Sequence, residues 1–198
     1  MRKTVFMLLA ACALASCVSS NVFTAAEREL IAGSDSLMYV TTMPADSAIL
    51  RTPCAELSES ELASPLAQTL VDKMLHTVQH PSQDGVGIAA PQVGISRRVI
   101  CVQRFDKEGE PFEGYLNPRI DSLIGPEVIG PEGCLSIPGL RGMVPRASEI
   151  VLTYVRPGTL EPVTERISGF TAIIFQHECD HLDGILYTDR ATEIFEKN

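Results

Sequence analysis

Tryptophan is absent from this chain of 198 residues, and aromatic residues make up only 6% of it. The core must therefore depend on aliphatic side chains. Basic residues are few beside acidic ones, 16 against 25, and the net charge of −9 argues against binding nucleic acid through a broad basic face. Hydrophobic residues at 45% and charged residues at 21% exclude general disorder. The composition predicts one globular domain and no particular function.

A membrane-spanning apolar run is missing as well, because the run at the amino terminus is short. Arg2 and Lys3 precede an apolar stretch over residues 5–14, and Leu-Ala-Ser then leads to Cys17. This is the pattern of an export signal, and it falls short of the ~20 apolar residues that a spanning helix needs. Leu-Ala-Ser-Cys also resembles a bacterial lipobox, so we expect cleavage after residue 16 and a lipid on Cys17. The alternative is an ordinary secretory signal in which Cys17 is incidental.

The leader divides the chain into three predicted parts. Residues 1–16 are the signal, and residues 17–47, rich in Ser, Thr and Ala, are expected to form a tether with one short helix around 25–31. Residues 48–198 are expected to be the folded domain. A lipid on Cys17 would hold that domain at a membrane on the periplasmic side.

Apolar spacing and cap residues predict the secondary structure of the folded domain. Apolar residues recur every four positions after Ser64 and Pro65, which predicts an amphipathic helix that ends before Pro81. Residues 98–103 and 149–155 are predicted strands, and a last helix is expected over Gly169–Leu182. The Gly- and Pro-rich residues between 105 and 145 are expected to form turns and short strands. This mixture predicts an α+β fold.

The motif H-E-x-x-H occupies residues 177–181, inside the last predicted helix. At 3.6 residues per turn, His177 and His181 share a face, so both imidazoles can reach one metal ion. Glu178 is displaced around the helix and can act as a general base on a water at that ion. The alternative is a chance pattern on an exposed polar helix. The apolar residues just before the motif favour a buried helix, in which such ionisable groups would be costly without a purpose.

Two histidines leave a catalytic metal site one protein ligand short. No histidine follows His181, but Cys134 lies upstream within the segment Glu-Gly-Cys-Leu-Ser. The alternative for Cys134 is a buried core cysteine, the usual fate of this residue type. A second pair, His76 and His80, has the same spacing but lacks a glutamate base and sits at a helix end, so we expect no metal there.

Residues 85–92, with the sequence Gly-Val-Gly-Ile-Ala-Ala-Pro-Gln, form a glycine-rich loop. Gly85, Gly87 and Ala90 match the G-x-G-x-x-A fingerprint of dinucleotide-binding proteins. In those proteins, however, the fingerprint loop follows a strand and begins a helix. Here the loop follows a helix, and Pro91 stands where the phosphate-binding helix would continue. We expect instead a loop that brings backbone close to a substrate and presents the amide of Gln92 as a donor.

The three segments G-x-G-x-A-A-x-Q, E-G-C-L-S and H-E-x-D-H, in this order, resemble those of the peptide deformylases. The similarity extends from about residue 48 to residue 189, roughly three-quarters of the chain. It implies an α+β fold in which small antiparallel sheets surround a central helix that carries H-E-x-x-H. It also implies a hydrolase that removes the formyl group from formyl-methionyl peptides and releases formate.

The resemblance implies a metal site and a proton-transfer group. One divalent metal ion would be bound, usually Fe(II) in this family, with Zn, Ni or Co as alternatives. Its ligands would be Cys134, His177 and His181, with water as the fourth. Glu178 would be the general base and then the acid that protonates the departing amine.

The resemblance also implies how the substrate is held. Gln92 and the backbone N–H of Leu135 would hold the oxyanion of the tetrahedral intermediate. The residues expected along the formyl-peptide cleft are Gly87 and Ile88, with Ile173 and Ile174 facing the methionine side chain and Arg141 at the peptide backbone.

The leader departs from the family, because deformylases act on nascent chains in the cytoplasm. Two alternatives therefore stay open beside an exported deformylase. One is an exported H-E-x-x-H metallopeptidase, and the other is a lipoprotein that binds formyl peptides without turnover. A cytoplasmic location, as in most of the family, is the alternative to export. The sequence predicts no oligomeric state.

Overall fold

The computed structural model describes residues 22–83 and 85–197. The predicted signal at 1–16 and the predicted lipid site at Cys17 lie outside the described residues. The helices are α1 (Ala25–Ala32), α2 (Ser47–Leu50), α3 (Glu59–Leu62), α4 (Pro65–Val78), α5 (Gly169–Leu182) and α6 (Tyr187–Arg190), and a 3₁₀ helix covers Ala90–Val93. The strands are β1 (Gly87–Ala89), β2 (Val99–Gln103), β3 (Phe112–Cys134), β4 (Ile137–Val155), β5 (Pro162–Ser168) and β6 (Glu193–Glu196). Within the described part, no helix has the length and apolar character to cross a membrane.

The strands form one six-stranded sheet in the order β1-β2-β3-β4-β5, with β6 paired to β4 and every pair antiparallel. The α+β prediction is thus confirmed, but the prediction of several small sheets is wrong. Strand β3 alone has 23 residues and pairs with β4 along most of its length. Register shifts interrupt the pairing, for example between Ile124 and Glu127, where Gly125 has a φ of 76°. Such bulges keep a Gly- and Pro-rich segment inside a sheet, which its composition does not predict.

The two long helices, α4 and α5, lie where the sequence predicts them. Helix α4 begins at Pro65, and the side chain of Ser64 accepts a hydrogen bond from the N–H of Leu66 at 3.2 Å. Helix α5 covers Gly169–Leu182, as predicted. Local sequence suffices for both, because caps and apolar periodicity act within a few residues.

Strand β2 separates two hydrophobic clusters. Val99 and Cys101 face the cluster that contains Leu70 of α4, whereas Ile100 faces the cluster that contains Phe175 of α5. This alternation follows from the two-residue period of a strand. The sheet therefore has α4 on one face and α5 on the other, and α5 is deeply buried.

Residues 22–47 pack on the body of the protein. Phe23 and Ile31 are buried in the same cluster as α4. The guanidinium of Arg97 donates to the carboxylates of Glu27 and Glu61 at 3.1 and 2.9 Å, and to the carbonyl of Val22 at 2.8 Å. The short helix predicted at 25–31 is present as α1. The tether prediction is wrong for these residues, since their burial depends on partners far along the chain.

Candidate active site

Three side chains with metal-donor atoms converge beside α5. Cys134, the last residue of β3, meets His177 and His181, and the donor atoms of all three lie within 4.8 Å of one another. Sγ of Cys134 lies 3.2 Å from Nε2 of His181. A thiolate and two imidazoles suit a borderline divalent ion such as Zn²⁺ or Fe²⁺, and three protein ligands leave a position open for chemistry. The residues present therefore fit a catalytic metal ion.

Buried ion pairs orient the first of these histidines. Nδ1 of His177 lies 2.8 Å from a carboxylate oxygen of Glu132, which leaves Nε2 for another partner. Arg146 donates to the same carboxylate at 2.8 Å and also contacts Asp180, which Arg190 reaches at 2.6 Å. The motifs predict no role for Glu132, although its position in the Glu-Gly-Cys segment is a usable signal. The network fixes the ring of His177 without placing an unpaired charge in the interior.

The neighbouring charges shift the pKa values of the thiol and the carboxyl group. Burial raises the pKa of Cys134, but the imidazoles of His181 and His177 outweigh burial and hold the pKa well below its usual range. Burial likewise raises the pKa of Glu132, whereas hydrogen bonds from His177 and Arg146 lower it to about 2. The lowered pKa of Cys134 favours the thiolate, the form of cysteine that binds metals.

Glu178 is buried against a glycine. A Cβ atom added to Gly87 would lie 2.4 Å from Oε1 of Glu178, so no other residue fits at this position without displacing the carboxyl group. Oε2 of Glu178 is buried and has no hydrogen-bond partner among the described residues. Burial raises the pKa of Glu178 to about 7. A carboxyl group with this pKa can both accept and release a proton near neutral pH.

The amide of Gln92 has a defined orientation. Its Oε1 accepts a hydrogen bond from the N–H of Ala89 at 2.9 Å. Its Nε2 lies 3.2 Å from Oγ of Ser136 and 3.4 Å from Sγ of Cys134. Because the Ala89 N–H can only donate, the amide oxygen faces away from the site and the NH₂ group faces Cys134.

A cleft of about 490 Å³ lies beside these groups. It is lined by the predicted site residues Gly87, Gln92, Cys134, Leu135, Arg141, Ile173, Ile174, His177 and Glu178. His181 is buried behind the cleft wall. Val86 and Phe170 also line the cleft, and neither was predicted as a site residue. Phe170 had a possible signal, since it is a large apolar residue in the first turn of α5.

The side chain of Ile88 does not line the cleft, contrary to prediction. It is fully buried in the cluster that contains α4. The cause is the two-residue period of β1, which turns Ile88 away from the side that Gly87 presents to Glu178. A contact between its backbone and a peptide stays a prediction.

The second histidine pair, His76 and His80, belongs to no group of three metal-donor side chains in the described part of the chain. Nδ1 of His80 contacts Oγ of Ser82 at 2.8 Å, and the rings of His76 and His80 are 6.3 Å apart. Across residues 22–83 and 85–197, the single group of three metal-donor side chains is the one around Cys134.

Comparisons by family model, by sequence and by structure all match this chain to one family of proteins. A family model described as polypeptide deformylase matches residues 38–197. A peptide deformylase of Leptospira biflexa is 39% identical over 160 residues, 76% of this chain and 87% of that protein. One of Desulforudis audaxviator is 47% identical over 134 residues, 67% of this chain and 79% of that protein. A Met-Ala-Ser-bound crystal structure of the class I type b peptide deformylase from Acinetobacter baumannii has a TM-score of 0.70 and 38% identity, and covers 78% of this chain and 98% of that chain.

Proposed function

The chain belongs to the peptide deformylase family, and we propose how its own residues perform the family's reaction. It is a hydrolase that removes the formyl group from formyl-methionyl peptides. The observation that carries the assignment of roles is the convergence of Cys134, His177 and His181 beside the buried carboxyl group of Glu178. In this proposal, α5 is the catalytic helix and H-E-x-x-H is its working motif.

We assign one divalent metal ion to Cys134, His177 and His181. When bound, it would act as a Lewis acid on the formyl carbonyl and lower the pKa of the attacking water. Fe(II) is our first candidate, because a thiolate ligand makes the site softer than three imidazoles would, and Zn, Ni and Co are alternatives. An oxidising compartment would favour Zn, which has no redox chemistry. The metal content of protein purified without oxygen decides between these ions.

Glu178 moves the proton. It takes a proton from the attacking water as the water oxygen bonds to the formyl carbon. It then delivers that proton to the nitrogen as the C–N bond breaks, which yields formate and a peptide with a free amino terminus. A pKa of about 7, raised by burial, suits both transfers.

Two donors hold the negative charge that develops on the formyl oxygen. We assign this role to Nε2 of Gln92 and to the backbone N–H of Leu135. The orientation of the amide supports the first assignment, since the N–H of Ala89 already occupies Oε1. A single donor of this kind is worth about 10²–10³ in rate.

The cleft accepts the methionyl peptide. We place the methionine side chain at Ile173 and Ile174, the formyl end at Gly87, and the following peptide backbone at Arg141. All four residues line the same cleft as Glu178. The related Acinetobacter baumannii structure has Met-Ala-Ser bound, which is the product of deformylating formyl-Met-Ala-Ser.

Hydrolysis of formyl-Met-Ala-Ser and of acetyl-Met-Ala-Ser, with Fe(II) supplied without oxygen, tests this function. We expect release of formate from the first peptide and no reaction with the second. Cleavage of internal peptide bonds regardless of the formyl group would indicate a metallopeptidase instead. Binding of the formyl peptide without formate release would indicate a non-catalytic binding protein.

We propose that the protein is exported and anchored by a lipid on Cys17, on the periplasmic side. The support is the sequence of the first 17 residues, with its basic start, apolar stretch and Leu-Ala-Ser-Cys segment. Labelling of the full chain with a radioactive fatty acid is expected to require Cys17. If Cys17→Ala leaves the labelling unchanged, the anchor is rejected and a cytoplasmic location or an ordinary secretory signal becomes the better account.

A further inference from the structure

The segment Thr41–Met43 joins the two loops that carry the assigned oxyanion donors. The N–H of Thr41 donates to the carbonyl of Gln92 at 2.8 Å, and its hydroxyl donates to the carbonyl of Pro91 at 3.1 Å. The N–H of Met43 donates to the carbonyl of Ser136 at 2.9 Å. Two residues of one short segment therefore bond to loops that are 44 positions apart in the chain.

These hydrogen bonds involve the residues that carry the assigned donors or directly adjoin them in the chain. Gln92 supplies the side-chain amide, and its own carbonyl is bonded to Thr41. Ser136 directly follows Leu135, whose N–H is the assigned backbone donor. The hydroxyl oxygen of Ser136 also accepts a hydrogen bond from Nε2 of Gln92 at 3.2 Å. The backbone bonds from Thr41 and Met43 thus connect the two backbone segments that carry the assigned donors.

The segment is itself held in place. Thr41 is 5% exposed. The next residue, Thr42, forms two hydrogen bonds with Asp46. The N–H of Thr42 donates to the carboxylate of Asp46 at 2.8 Å, and the N–H of Asp46 donates to the carbonyl of Thr42 at 2.8 Å. A buried residue anchored on both sides can position a neighbouring loop, whereas a tether cannot.

We propose that Thr41–Met43 is a positioning element for the oxyanion donors, with the hydroxyl of Thr41 as its main side-chain contribution. This inference rests on the proposed roles of Gln92 and Leu135. An oxyanion hole works only if its donors are already placed where charge develops, so loosening one loop lowers the rate of the chemical step.

The primary test is Thr41→Val in the full-length, metal-loaded enzyme, with formyl-Met-Ala-Ser as substrate. We expect kcat to fall about tenfold, with KM nearly unchanged and full metal content, because the lost bond affects the transition state more than substrate binding. Thr41→Ser keeps the hydroxyl and is expected to restore most of kcat.

Thr77→Val is the matched control. Thr77 is also buried, and its hydroxyl accepts a hydrogen bond from the N–H of Met38 at 3.0 Å and donates to the backbone carbonyl of Lys73 at 2.7 Å; none of these residues lines the cleft. This variant removes the same group from the docking site of the same amino-terminal region. It is expected to lower stability and to leave kcat unchanged. An equal loss of kcat in Thr77→Val would overturn the proposal, because the effect would then be general.

A double-mutant cycle with Gln92→Ala separates this inference from the proposed function. We expect Thr41→Val to cause no further loss of kcat once the Gln92 amide is gone. An undiminished tenfold loss in that background rejects positioning through Gln92. A Gln92→Ala variant with normal kcat rejects the oxyanion role itself, and this inference with it. If Thr41→Val does not fold, Asp46→Ala loosens the same segment from its partly exposed end and is expected to show a smaller loss with the same dependence on Gln92.

Discussion

Glu178 and Gly87 show how a missing side chain leaves room for the carboxyl group that we propose as the general base. Oε1 of Glu178 lies only 2.4 Å from the position that a Cβ atom of residue 87 would take, and burial raises the pKa of Glu178 to about 7. Glycine at the first position of β1 leaves room for a buried carboxyl group to reach the cleft. The position of the Glu178 carboxyl group therefore requires glycine at residue 87.

Glu178→Gln is expected to abolish formate release while the metal stays bound. The amide keeps the shape of the side chain but cannot take up a proton, and general acid–base catalysis is worth about 10²–10⁴ in rate. The measurements are kcat on formyl-Met-Ala-Ser and the ratio of metal to protein. A variant with nearly normal kcat would show that another group is the base.

Gly87→Ala is expected to lower kcat by about 10², because the added methyl group must displace the carboxyl group of Glu178. Gly130→Ala is the control, since no atom lies within 4 Å of an added Cβ at Gly130 in β3. The two variants are compared in kcat and in thermal midpoint. Equal activity in both would mean that the carboxyl group adjusts freely.

A buried arginine, Arg104, follows the end of β2 and connects that strand to two others through hydrogen bonds and ion pairs. The guanidinium of Arg104 is buried and donates to Asp106 at 2.7 and 2.8 Å, and it reaches Glu165 of β5 at 2.9 Å. The hydroxyl of Tyr115 in β3 lies 2.9 Å from the same guanidinium. One cation thus connects β2, β3 and β5 on the side of the sheet that faces α5.

The Arg104–Asp106 pair predicts a pH-dependent contribution to stability. Hydrogen bonds from Arg104 hold the pKa of Asp106 below its usual value. A carboxyl group with a lowered pKa stabilises the folded state above its unfolded pKa, and that contribution is lost as the pH falls through the folded pKa. Asp106→Asn should therefore be less stable than the parent at about pH 6, and the difference should shrink below about pH 4.

Urea midpoints measured at several pH values test this prediction. Glu108→Gln is the control, since Glu108 is exposed in the same turn region and is expected to show little difference from the parent at any pH. A difference between Asp106→Asn and the parent that stays constant from pH 6 to about pH 3 would contradict an ionic origin.

At the scale of the whole molecule, the amino-terminal residues belong to the folded body. Phe23 and Ile31 enter the core, and Arg97 links Glu27 to Glu61. The family match from residue 38 already reaches into the predicted tether. If Cys17 carries the proposed lipid, four residues separate it from Val22, where the described chain begins, and a chain of that length can span at most about 17 Å.

A chain that starts at residue 48 is expected to be much less stable than one that starts at residue 22. The shorter chain loses buried side chains worth about 1.5–3 kcal/mol each, and it leaves Arg97 with one carboxylate in place of two. Thermal midpoint and kcat should both fall for the shorter chain and stay near those of the full chain for the longer one. Equal midpoints would restore the tether interpretation.

Local patterns in the sequence were enough for the two long helices and for part of the site. A capping serine and apolar spacing predict α4, apolar residues predict α5, and the i,i+4 spacing places His177 and His181 on one face. These features depend on residues within one or two turns of each other. Cys134 was predicted as the third metal ligand only from the resemblance to a family. Its sequence context alone left it as either a metal ligand or a buried core cysteine.

Contacts between distant segments decided the rest. The sequence could not tell that β3 and β4 would form one long hairpin, that Ile88 would face the core, or that Glu132 would hold His177. Nor could its composition distinguish a tether from the packed residues that reach Gln92. Burial and hydrogen bonding at each of these points depend on groups tens of residues away, and only the folded chain brings such groups together.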